Sequence, residues 1–172
     1  MTSVHPLGAL SKELKGDSLA EILDLRASGA IAFTDGVVPI MNAELLSKAL
    51  QYVQKFKGLV ISRPRDLSLS RGGQMHEGSV STSLGLVGIS SLSEKVMIER
   101  DLSILAYTGG RLHIHGISTF ESVALIAKAK KSGLAVTCDV ILHQLCYSDD
   151  HLSSFDPFYK VDPPLRTDKD LS

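Results

Sequence analysis

The chain has 172 residues, 44% of them hydrophobic and 22% charged, with a net charge of −1, which allows one domain with a sizeable core and is ordinary for a soluble globular protein. That near-neutral balance, few aromatics and the absence of Trp exclude the basic field or stacking platform of a nucleic-acid binder. No apolar run approaches a membrane span and no signal peptide is visible, while Cys138 and Cys146 form no C-x-x-C pair and read as reduced thiols of a cytoplasmic protein.

Residues 1–15 read as extended or looped, punctuated by Pro6 and Gly8. The spacing then predicts a first helix opened by a capping box, Ser18-x-x-Glu21, with Leu19, Ile22 and Leu23 as its apolar face and Gly29 as its stop. A short buried strand, Ala30 to Phe33, closes on Thr34-Asp35-Gly36. A second helix is expected from about Asn42 to Phe56, with Leu46, Ala49, Leu50 and Val53 on one face, followed by Gly58 and the strand 59–62. Residues 63–90 form a Gly- and Ser-rich insertion with a short helix around Val80 to Leu84.

Two more capping boxes follow. Ser91-x-x-Glu94 opens a third helix, with Ile98, Leu102 and Leu105 aligned and Gly109-Gly110 at its end. After the segment Arg111-Leu-His-Ile-His-Gly-Ile-Ser-Thr119, Ser118-x-x-Glu121 opens a fourth helix striped by Phe120, Val123, Ala124 and Ala127 and stopped by Gly133. A last strand is read from Leu134 to Val140, and residues 163–172 read as a polar tail. The whole is treated as a single domain over residues 1–172.

Helix, glycine and short apolar strand thus recur four times, the pattern of a parallel sheet covered by helices with right-handed crossovers. An open doubly wound sheet fits, and so does an arc of a (β/α)8 barrel, whose closed form needs about 250 residues. Ligands bind at the carboxyl ends of the strands in either architecture. Those ends carry Asp35, the run Ser62 to Asp66, His113 to Gly116, and Asp139 to His143. His113 and His115 lie two apart on a strand, which places both imidazoles on one face and makes them the metal candidates that spacing alone provides. Asp35 is either a rim carboxylate or the first residue of an Asp-Gly turn. His76 reads as solvated and His5 and His151 as partnerless. No G-x-G-x-x-G, P-loop or G-x-S-x-G motif is present.

A string of motifs runs through the chain in order. It begins with Pro6-Leu-Gly-Ala-Leu-Ser11 and Gly29-Ala-Ile-Ala-Phe-Thr-Asp-Gly36, and continues with Gly73-Gln-Met-His-Glu-Gly78 and Glu94 to Arg100-Asp101. It ends with Gly116-Ile-Ser-Thr119, Val136-Thr-Cys-Asp-Val-Ile-Leu-His-Gln-Leu145 and Lys160-Val-Asp-Pro-Pro-Leu-Arg166. In this order the motifs resemble those of dihydroorotase, a metal-dependent amidohydrolase. The resemblance implies α/β architecture, a partial TIM-like (β/α)8 barrel with about four βα units, and zinc as the family's cofactor. It also implies that the family's early His-x-His motif precedes Met1 and its late catalytic aspartate follows Ser172.

Several departures bear on activity. The family's metal histidine of a His-x-Glu-Asp segment lines up with Arg63 of Arg63-Pro-Arg-Asp66, and a guanidinium has no lone pair for a metal. The histidine of His-Val-Ser-Thr lines up with Gly116, which leaves Asp35 as the family ligand in this stretch. The family's substrate-side Asn is Asp162, whose extra charge would repel an anionic substrate. These changes imply a catalytically degenerate protein that binds no zinc, while its charge and lack of an apolar span imply neither nucleic acid nor membrane as partner. The resemblance implies, as its expected roles, partnering aspartate transcarbamoylase in pyrimidine biosynthesis, and the incomplete sheet implies self-association. Two alternatives stand beside this: an active dihydroorotase in which a bulge turns His115 inward, and a regulatory module that holds an anion on Arg63 and Arg65.

Overall fold

In the computed structural model, which describes residues 2–171, five short parallel strands form one sheet. They are β1 (Leu7–Gly8), β2 (Ala32–Phe33), β3 (Val60–Ser62), β6 (Leu112–Ile114) and β7 (Val136–Cys138), adjacent in that order. Between β3 and β6 the chain makes a second, two-stranded parallel sheet from β4 (Met75–His76) and β5 (Gly88–Ile89). The helices are α1 (Ile22–Ala27), α2 (Ala43–Val53), α3 (Ser79–Leu84), α4 (Leu92–Thr108), α5 (Phe120–Lys131) and α6 (Asp168–Leu171).

Helix α2 forms where its pattern says it should. Asn42 caps it by accepting from the N–H groups of Glu44 and Leu45 at 3.0 and 3.2 Å, satisfying two donors that have no intrahelical partner. Leu45, Leu46, Ala49, Leu50 and Val53 are buried on the face toward the sheet. Each such aliphatic side chain contributes about 1.5–3 kcal/mol on burial. Beyond Val53 a 3-10 turn, Gln54–Phe56, continues the helix and stops at Lys57, which takes the left-handed conformation at φ 54°. Gly58 is required by close approach, because a Cβ there would meet Phe56 Cε2 at 2.5 Å and Val53 Cβ at 2.8 Å.

Strand alternation gives the sheet two unlike faces. Val60, Ser62, Leu112, Ile114 and Val136 point into a core shared with Phe33, Ile98, Leu105 and Ile126, where α2 packs on α4 and α4 on α5. On the other face the register sets Ile61 beside His113 and His113 beside Thr137. That face is the less buried one, so the histidines are presented rather than packed away.

Strand β1 lies in the stretch read as extended or looped, where Leu7 and Gly8 pair with Ala32 and Phe33. Three features differ from the sequence reading. The three Ser-x-x-Glu boxes do not form. Helix α1 starts one residue after Glu21 without a side-chain cap, Ser91 makes no cap hydrogen bond, and Thr119 caps α5 through the Ser122 N–H. The stripe proposed for α5 faces outward, with Phe120 and Val123 half exposed, and Ser122, Ile126 and Ala129 face the core instead. Finally, the stretch read as a polar tail is packed over residues 163–171: Leu165 and Arg166 are each 1% exposed, and Asp170 accepts from the Phe120 N–H at 3.0 Å. No helix is long and apolar enough to cross a membrane among the described residues.

Candidate functional site

Asp35 follows β2 at the carboxyl rim but is turned away from it. Its Oδ1 accepts from the N–H groups of Leu10 and Ser11 at 3.0 and 2.8 Å, and Ser11 Oγ donates to Oδ2 at 2.5 Å. With 2% exposure and both oxygens engaged, Asp35 fastens the segment after β1 to the end of β2. The candidate rim ligand is thus engaged by its own neighbours in this structure.

Arg63 follows β3 directly, and its guanidinium lies 2.8 Å from Asp162 Oδ2 while donating to the Asp162 carbonyl at 3.0 Å. Arg65 reaches the same Oδ2 at 3.0 Å and also donates from Nε to Ser70 Oγ. One carboxylate thus holds two cations, an arrangement in which charge-assisted hydrogen bonds are strong. Both guanidiniums turn toward Asp162, the carboxylate beside the position considered for an outside anion. The cavity bounded by Arg63, Arg65, Gly116, Asp162 and Arg166 measures about 10 Å³, room for about one water. Gly116 has φ +71°, and a Cβ would stand 3.7 Å from Ile141 Cδ1 and Pro163 Cδ. The glycine is required there by its left-handed backbone and not by crowding.

Behind this cavity lies a buried pair. Arg166 donates from Nε to Ser118 Oγ at 2.9 Å and from Nη1 to the Ile89 carbonyl at 3.1 Å, and meets His76 Nδ1 at 3.1 Å. Its Nη2 stands 3.6 Å from Glu94 Oε2. Burial draws the guanidinium down from its ordinary value, against the upward pull of Glu94. Glu94 Oε1 accepts from the Ser118 N–H at 2.9 Å and from Ser122 Oγ at 2.6 Å, and Oε2 accepts from Ser118 Oγ. His76, expected in solvent, is 8% exposed. Burial, then the Arg166 charge, lowers its pKa.

His113 and His115 do converge, and on a carboxylate that the sequence reading placed at a strand end but not among the metal candidates. Asp139, one residue past β7, has Oδ2 3.1 Å from His113 Nε2 and 2.9 Å from His115 Nδ1. Its Oδ1 accepts from the Gly116 N–H at 2.6 Å. Burial works to raise the Asp139 carboxyl, but the hydrogen bonds from His115, Gly116 and His113 together hold it below its usual value. One ligand atom from each of these three residues lies within 4.8 Å of the other two. The sequence signal was available: a carboxylate just past the strand that neighbours the His-x-His strand. His151 is also partnered, with its ring against Tyr147 and Tyr159.

A family model described as "Dihydro-orotase-like" matches residues 1–122. The chain belongs to the dihydroorotase-like family. It is 45% identical to a dihydroorotase of Pelotomaculum thermopropionicum over 170 residues, which cover 99% of this chain and 40% of that protein. It is 41% identical to a dihydroorotase-like protein of Pseudomonas putida over 169 residues, with 98% and 40% coverage. Among solved structures, an L-hydantoinase (dihydropyrimidinase) from Arthrobacter aurescens superposes with a TM-score of 0.76 at 19% identity, over 97% of this chain and 38% of that one. That likeness fixes the fold as an arc of the barrel. The chain spans about two-fifths of the length of these relatives.

The zinc donors implied by the dihydroorotase resemblance do not fit this chain. Arg63 is a cation paired with Asp162, Gly116 has no donor, and Asp35 is buried against Leu10 and Ser11.

Proposed function

We propose that this dihydroorotase-like chain has lost the family's cyclic-amide hydrolysis and serves as a non-catalytic partner in pyrimidine biosynthesis, holding aspartate transcarbamoylase in a cytoplasmic assembly. The observation that carries the reading is the pairing of Arg63 and Arg65 with Asp162. Opening a cyclic amide at neutral pH needs metal-activated water and a polarised carbonyl. Here a cation and a carboxylate neutralise each other where the resemblance places a ligand and a substrate contact. Exposed apolar side chains such as Leu142, Leu145 and Phe158, the last 90% exposed, offer contact area to a partner or to a second copy.

A second reading, an active metal-dependent dihydroorotase, draws on the His113, His115 and Asp139 cluster beside an open cleft. The longest polypeptide that contains this chain separates the two. Purified without chelator, it should show no ring opening of dihydroorotate with or without added zinc, and should co-elute with aspartate transcarbamoylase on a sizing column. Zinc-dependent turnover would establish the second reading. Separate elution would remove the assembly role.

A further inference from the structure

Three donor side chains meet at the ends of β6 and β7, outside the positions that the dihydroorotase resemblance assigns to metal. Alternation along β6 puts His113 and His115 on the face away from the helices, and Asp139 leaves the adjacent edge strand toward them. Their contacts to Asp139 Oδ2, 3.1 and 2.9 Å, are close to the roughly 3.3 Å that separates ligands sharing a tetrahedral zinc at about 2.0–2.1 Å. The third pair, His113 Nε2 and His115 Nδ1, lies within 4.8 Å.

The surroundings already orient the donors. His113 Nδ1 is 2.8 Å from Thr137 Oγ1, which fixes the ring and leaves Nε2 for a ligand. The Gly116 N–H holds Asp139 Oδ1, His115 Nδ1 sits astride both oxygens at 3.0 Å from Oδ1 and 2.9 Å from Oδ2, and Oδ2 is the oxygen that both histidines reach. Outer contacts of this kind accompany metal-binding imidazoles and carboxylates. In the metal-free state an ionised Asp139 accepts only, so each histidine presents an N–H to it; on metal binding that proton moves to the other ring nitrogen, Nδ1 of His113 beside Thr137 Oγ1 and Nε2 of His115, and the lone pair so freed is the ligand. Beyond the cluster opens a cleft of about 270 Å³ reaching Ile61, Thr34 and Leu7, which leaves space for a water as fourth ligand.

We propose that His113 Nε2, His115 Nδ1 and Asp139 Oδ2 form a site for a divalent transition metal of the zinc and cobalt class. Two imidazoles and one carboxylate favour such ions over the oxygen-seeking Mg²⁺ and Ca²⁺. The bound ion ties the end of edge strand β7 to β6, the one sheet neighbour it has among the described residues. The site is independent of whether hydrolysis has been lost, because it is read out by binding.

The test is calorimetric titration of the untagged, chelator-stripped chain with Zn²⁺ and with Co²⁺ at neutral pH, with visible spectra of the Co²⁺ form. The expected result is about one saturable site per chain and the intense bands of four- or five-coordinate Co²⁺. His115→Ala, whose side chain is 46% exposed, and Asp139→Asn, which keeps an acceptor for the Gly116 N–H, should each weaken binding at least about tenfold. Both should retain the parent's circular dichroism. His5→Ala, at an exposed histidine, should bind as the parent does. Absence of saturable binding by the folded parent would overturn the proposal, as would affinity that survives His115→Ala within about twofold.

Discussion

Glu94→Gln should destabilise the chain by about 3 kcal/mol. The side chains of Glu94 and Arg166 are 3% and 2% exposed, so the guanidinium has almost no access to water. Its hydrogen-bond partners, Ser118, the Ile89 carbonyl and His76, carry no negative charge. Removing one member of a buried ion pair costs about 3–5 kcal/mol, because the other is left uncompensated. Gln preserves the shape of the site, and its remaining oxygen can still accept from Ser118 and Ser122, which places the cost at the lower end. For a chain of this size that loss corresponds to a fall in Tm of roughly 6–12 °C. Urea unfolding followed by far-ultraviolet circular dichroism should show a lower midpoint at an unchanged slope. Adding Arg166→Met should recover much of the loss, since an apolar replacement of both partners leaves no buried charge. A loss below about 1 kcal/mol in the single variant, or no recovery in the double, would refute the reasoning.

Two further outcomes follow from charge. His76 has a lowered pKa in the folded chain, so between its ordinary value of about 6.5 and that lower value the unfolded chain binds more protons. The stability is therefore fully present above about 6.5 and is lost as pH falls through the folded value; His76→Gln should flatten this loss in urea titrations at mildly acidic pH. Asp162→Asn leaves Arg63 and Arg65 facing one another without their shared carboxylate. Because Asp162 is 48% exposed, solvent screening holds the expected cost to about 1 kcal/mol, and added salt should reduce the difference from the parent; a cost that is indifferent to salt would count against the ionic account.

Elements with a local cause were legible in the sequence. Helix α2 carries its cap at Asn42 and an unbroken apolar face, and β3 and β6 are apolar segments that follow glycine-marked helix ends. Elements with a remote cause were not. Strand β1 is two residues long and exists through pairing with Ala32 and Phe33. Glu94 has the spacing of a capping box, yet Ser118, Ser122 and Arg166 bind its carboxylate more fully than its own helix terminus could. Asp35 read equally as a ligand or a turn residue, and which it is depends on Ser11, which lies 24 positions away in the chain. The His113 and His115 pair followed from alternation alone. Its third member, Asp139, needed the knowledge that β7 lies beside β6.

The departures at Arg63 and Asp162 are best understood as one physical change. An arginine alone after β3, with a side chain 12% exposed, would be a poorly solvated cation pressed against Arg65. An aspartate alone in the Asp162-Pro-Pro segment would add a negative charge without a partner. Together they form a cluster in which Asp162 Oδ2 receives both guanidiniums within 3.0 Å. Gly116 completes the change from the other side: its φ of +71° disfavours the β-carbon that a ligand would need, and its N–H is turned to Asp139. The same Gly116 N–H ties the end of β6 to Asp139 just past β7, where His113 and His115 meet the same carboxylate.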